Sequence, residues 1–311
     1  MRTKKALMSK TALLAAVAAL ALTVQTGAAG AAAMSPLQTA THSPEQQNAA
    51  MAHYKALLAQ PGQLPSAIVY LKKHIGELTA YQSTIMVLYL ENALVKALPA
   101  TDQRIGTQHV QNSIAKVYQQ GDTFTTVAAR MKDASVKALL LSAAASGYRL
   151  ETAEGFFFPV VDYAAFKPFQ SFVTADIQAY LDIMAVESEQ PSVKDAGLMI
   201  GYQQIVNRAL LQESFLKRFP NSNRAAKVNS LFKQYTILTF YGVNNTPLFD
   251  YETKTMQPNA KKGYSLMLQW HDPSSSSYLT LLQKFMNTAK ANDYKLTAAM
   301  DKFRKTNIPN A

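Results

Sequence analysis

The chain contains no cysteine in its 311 residues. That absence excludes a disulfide framework, a thiol nucleophile and lipid attachment through a thiol. Histidine is scarce as well. His42, His53, His74, His109 and His271 stand apart, with no H-x-x-x-H or H-E-x-x-H spacing, so no metal centre is expected. A G-x-S-x-G elbow, a phosphate-binding glycine loop and a dinucleotide glycine fingerprint are also missing. No cofactor is expected, and the chemistry left open is carboxylate chemistry or none. Period-two alternation is missing outside residues 148–163, which leaves little room for a sheet.

What is present begins with an address. Arg2, Lys4, Lys5 and Lys10 precede an apolar run from Ala12 to Thr23 and the small-residue stretch "TGAAGAAAM", the pattern of a secretory signal over residues 1–33. The run is short for a membrane span, so no transmembrane segment is expected after cleavage. Loss of the signal's four cations lowers the formal net charge from +11 to +7. The C-terminal "RKTNIPNA" is polar and carries no sorting tail. The expectation is a secreted or extracytoplasmic protein, held to the cell envelope non-covalently if at all.

A positive exported protein is drawn to anionic polymers by screened long-range attraction. An anionic envelope polymer or a protein is therefore the expected partner. Lys72-Lys73, Lys217-Arg218 and Lys261-Lys262 are scattered rather than gathered into a basic run, so nucleic acid is not expected. Nothing in the sequence specifies the oligomeric state.

Helix signals recur along the rest. "SPEQ" at Ser43 has the form of a capping box with proline at the first helical position. Apolar residues follow at helical spacing, with stops at Pro61-Gly62, Gly76, Pro99, Gly121, Gly147, Pro191 and Gly242. The longest helix is expected to open at Ser192 and to bury Met199, Tyr202, Ile205 and Ala209. The sum is an all-α, irregular multi-helix array or bundle of nine or more helices. It divides into an N-terminal helical half (34–147), an aromatic non-helical junction (148–166) and a C-terminal helical half (167–311). "FLKRFPNSNRAAKV", Phe215 to Val228, resembles the joint of a tetratricopeptide-like helix pair, where a Pro-Asn-Ser turn precedes small residues that allow close packing. The resemblance implies a binding scaffold.

Two stretches interrupt the helices. In "YRLETAEGFFFPVVDYAAF", Gly147 ends a helix, Gly155 permits a tight turn and Pro159 forbids helix through Phe158. Phe156, Phe157 and Phe158 either plug a seam between the halves or line a groove whose mouth carries Glu151, Glu154, Asp162 and Tyr163. The second stretch, Tyr241 to Tyr264, sets Asp250, Tyr251 and Glu252 together after Gly242, Asn244-Asn245 and Pro247. Two functions follow. One is a non-catalytic exported protein that binds a polymer, peptide or protein through these stretches. The other is an exported hydrolase with paired carboxylates, which requires Glu154, Asp162, Asp250 and Glu252 to converge in one cleft.

Overall fold

The capping and stop residues place most helix ends where the sequence puts them. The computed structural model describes residues 42–308, so the signal segment and the lead-in at 34–41 lie outside the described residues. Over the described residues the chain is an all-α multi-helix array with three two-stranded hairpins. Its first half comprises α1 (Pro44–Ala59), α2 (Leu64–His74), α3 (Ala80–Ile105), α4 (Gln108–Ala115), α5 (Phe124–Arg130) and α6 (Ala134–Ala145). A hairpin of β1 (Tyr148–Ala153) and β2 (Phe156–Val161), a 3-10 segment (Tyr163–Phe172) and α7 (Ala175–Glu189) follow. Then come β3 (Val193–Lys194), β4 (Gly197–Leu198), α8 (Tyr202–Arg218), α9 (Ala225–Tyr241), β5 (Gly242–Val243), β6 (Thr246–Pro247), α10 (Pro258–Trp270), α11 (Ser277–Ala291) and α12 (Ala298–Asn307). None of the described helices is long and apolar enough to cross a membrane.

At the start of α1 the capping box is reciprocal. Gln46 N–H donates to Ser43 Oγ at 3.3 Å, and Ser43 N–H donates to Gln46 Oε1 at 2.9 Å. Thr79 and Gln82 repeat the device on α3. Helix α3 does not stop at Pro99 as expected but continues to Ile105. Pro99 lies on the exposed face, where water can satisfy the carbonyl that a missing N–H would have bonded.

Residues 192–201 also differ from the expected helix. Asp195 and Ala196 adopt positive φ, 50° and 55°, and form the tip of the β3–β4 hairpin. The tip is held from outside, since Asn245 donates Nδ2–H to Asp195 O at 2.6 Å and its own N–H to Ala196 O at 2.8 Å. Helix α8 therefore opens only at Tyr202, and Met199 is exposed rather than buried.

The central stretch is a regular hairpin. Glu154 (φ 49°) and Gly155 (φ 79°) form a two-residue left-handed turn, whose twist matches that of paired strands. Alternation then splits the three phenylalanines: Phe157 is buried, Phe158 half-buried and Phe156 65% exposed. Gln111 of α4 takes the place of a third strand beside β2, donating Nε2–H to Phe157 O at 2.7 Å and accepting Phe157 N–H at 3.0 Å. Hairpin and helices thus share backbone bonds as well as apolar contacts.

The described residues belong to one compact unit with two hydrophobic clusters. Tyr148, Leu150, Phe157, Val161 and Tyr163 all pack inside the first, together with α1 to α7. The second begins at Ile200. The change of core therefore falls around β3–β4, not at residues 148–166, and the central hairpin is an internal part of the first half. The α8–α9 pair crosses the change, with Phe215 and Val228 in the first cluster and Ile205, Ala209 and Tyr235 in the second.

Candidate binding site

Gly242 ends α9 at φ +74°, where a Cβ would meet Thr246 O at 2.4 Å, so only glycine lets the chain turn back on itself here. After β6, Leu248 and Phe249 drop into the second core and the chain enters a tight turn. Asp250 Oδ1 accepts N–H from Glu252 (3.0 Å) and Thr253 (2.8 Å) and the Thr253 hydroxyl (3.0 Å). These bonds, the Thr253 N–H first, hold the Asp250 carboxyl below the usual carboxylate range. The turn is tied to the segment before α12, because Leu296 N–H donates to Lys254 O at 2.7 Å.

That tie brings α12 under the loop. Arg304 lies with its guanidinium 4.6 Å from the Tyr241 ring centre and 5.5 Å from that of Phe249, and its side chain is only 9% exposed. Nη2 donates to Asp301 at 3.0 Å, while Nε is buried without a partner. Above it, Lys254 Nζ–H donates to Tyr251 O at 2.6 Å, and Tyr251 is 61% exposed with its hydroxyl on Asn244 O at 3.1 Å. Together these residues line a cleft of about 290 Å³. It offers aromatic walls and two cations, and so suits a chain that carries both acidic and flat apolar groups. Asp250 lines it too and keeps its negative charge, its Oδ1 held by the turn. A second, wider cleft of about 570 Å³ runs along the outer face of α8 and is lined by Lys217, Arg218 and His271.

The other residues singled out from the sequence lie elsewhere. Glu151 Oε1 accepts Lys194 Nζ–H at 2.7 Å and so joins the first hairpin to the second. Asp162 accepts Ala164 N–H at 3.1 Å at the start of the 3-10 segment, and Glu154 is exposed at the hairpin tip. Glu154 and Asp162 do not line the late-loop cleft, which Asp250 and Tyr251 share; Glu252 is an exposed neighbour in the turn.

Tyr163 belongs to a buried network that the sequence reading missed. Glu91 of α3 is 3% exposed and accepts the hydroxyls of Tyr163 (2.6 Å) and Tyr180, Arg224 Nε–H (2.8 Å) and Lys227 Nζ–H (2.9 Å). A second, partly buried carboxyl, Glu187 of α7, accepts the Tyr235 hydroxyl and pairs with Arg208 at 3.4 Å. A signal for both was available: each glutamate falls at helical spacing on an apolar stripe, Glu91 beside Val87 and Leu94, Glu187 beside Tyr180 and Ile183. The histidines, isolated in sequence, are partly gathered in space. His42 and His74 both approach Glu77, at 3.3 and 2.7 Å, and the His53 and His74 rings pack on Tyr70. No group of three metal-ligating side chains forms among the described residues. Comparison with protein-family models, with curated proteins and with solved structures gave no match for this chain, so the site is read from its own geometry.

Proposed function

We propose that the chain is an exported, non-catalytic helical binding protein that recognises an anionic polymer, peptide or protein at the cell envelope. The observation that carries this reading is the late-loop cleft, where Tyr241, Phe249 and Tyr251 flank the cations Lys254 and Arg304. Lys254 and Arg304 present positive charge at the wall of the cleft to a carboxylate or phosphate, and exposed Tyr251 supplies contact area. The surplus of basic residues would guide such a ligand at long range. The tetratricopeptide-like joint between α8 and α9 supports the scaffold class. The hydrolase alternative requires Glu154, Asp162, Asp250 and Glu252 in one cleft, and of these only Asp250 lines the late-loop cleft.

The experiment is retention of the purified protein on envelope material at low and high salt. Tyr251→Ala and Arg304→Gln are expected to reduce retention at both, while added salt alone reduces the wild type only in part, because contacts within a cleft are screened less than surface charge. Retention that disappears completely in salt and is untouched by either substitution would sink the reading.

A further inference from the structure

Glu187 stands in the last turn of α7, where the first core gives way to the second. Its carboxyl lines an open cleft of about 390 Å³ with Ser192, Gln234 and Tyr235 as polar neighbours and Val193, Ile237 and Leu238 as an aliphatic wall. A carboxylate offers about four lone-pair positions. The Tyr235 hydroxyl lies 2.6 and 2.7 Å from its two oxygens but has a single proton to donate. Arg208 is shared among several acceptors: its Nη1 donates to Gln190 O at 2.9 Å and to the Tyr235 oxygen at 3.0 Å and pairs with Glu187 at 3.4 Å, while its Nη2 lies 3.4 Å from Gln190 Oε1. The Glu187 side chain is thus 14% exposed, beside a cleft, with acceptor positions left over after the Tyr235 bond and the Arg208 ion pair.

We propose that this cleft binds an alkylammonium group, a protonated primary amine on an aliphatic stem, with the ammonium on Glu187 and the stem along Val193, Ile237 and Leu238. A compact ammonium has three donors for the open acceptor positions, and a flexible aliphatic stem matches the wall of Val193, Ile237 and Leu238. An anion is disfavoured by Glu187 itself, so the site is chemically distinct from the cleft around Arg304. Burial raises the Glu187 carboxyl above the usual carboxylate range, and the bonds from Tyr235 and Arg208 do not restore it, as expected of a charge whose full complement of partners is not supplied by the chain. The same chemistry is presented by a lysine side chain in a peptide and by a free polyamine.

The test is calorimetric or NMR titration of the whole chain with butylamine, with cadaverine, with a blocked Ala-Lys-Ala peptide, and with pentanol as an uncharged control. Saturable binding of the amines at neutral pH is expected, with pentanol and the Glu187→Gln variant weaker by about tenfold or more, the worth of a charge-assisted contact. Binding falls as pH is lowered through the Glu187 titration, because the ammonium needs an ionised partner. Tighter binding of cadaverine assigns the site to polyamines, and tighter binding of the peptide assigns it to lysine side chains. Absence of saturable binding by every amine overturns the proposal, as does wild-type affinity in Glu187→Gln. If that variant does not fold, the wild-type comparison of amine with alcohol decides, equal affinity being fatal.

Discussion

Glu91 is buried and Glu187 partly buried, each is bonded to tyrosine and close to arginine, and their environments act in opposite directions. Burial opposes the charge on both. At Glu91 the attraction of Lys227 and the hydroxyls of Tyr163 and Tyr180 outweigh it, and the carboxyl is held below its ordinary value. At Glu187 one hydroxyl and a shared guanidinium do not, and the carboxyl titrates above its ordinary value. The lesson concerns the number of donors rather than their kind. The first network joins α3, the 3-10 segment, α7 and the start of α9, and it works as a satisfied structural knot. The second lies open to a cleft at the change of core, which is the arrangement of a site.

The sharpest way to break the comparison is to remove each carboxyl. Glu91→Ala leaves Arg224 and Lys227 without their counter-charge beside two orphaned hydroxyls, and is expected to cost on the order of 3–5 kcal/mol in denaturant unfolding. A loss under about 1 kcal/mol would mean that the knot is not structural. Next in size is the dependence on pH. The contribution of Glu91 is present above the ordinary carboxyl pKa and is lost as pH falls through its depressed folded-state value. That of Glu187 has the opposite sign: it is present below the ordinary value and is lost as pH rises through the elevated one. Glu187→Gln should therefore stabilise the protein at neutral pH relative to wild type, whereas Glu91→Gln should remove part of the acid sensitivity. Parallel stability profiles for the two variants would refute the distinction. The smallest effect is expected at the bridge from the first hairpin to the second. Glu151 and Lys194 are both partly exposed, so Lys194→Ala should cost about 0.2–1 kcal/mol, and less at high salt.

How far the molecule could be read in advance varies by element. The Ser43 box, the stop at Gly242 and the break from helix after Gly147 depend on neighbours in sequence, and each appears where the residues indicate; the pairing of that stretch into a hairpin was not read in advance. Residues 192–201 do not follow that pattern. Met199 and Tyr202 share a helical spacing, yet Asn245 captures Asp195 and Ala196 in a turn from fifty positions away. The candidate site was half legible. Asp250 and Tyr251 stood out beside the breakers of the late loop, whereas Arg304 was not singled out, because only the packing of α12 brings it to the same cleft.

Sequence alone determined the absence of disulfide and thiol chemistry, the helical class and the positions of most helix ends, because capping, glycine turns and apolar stripes act over a few residues at a time. Tertiary structure decided which acids are knots and which face clefts, where the core divides, and that Arg304 meets Tyr241 and Phe249. Those outcomes depend on desolvation and on donors brought from distant helices. A carboxyl's charge is set by how many of those donors arrive, and that count exists only once the chain is packed.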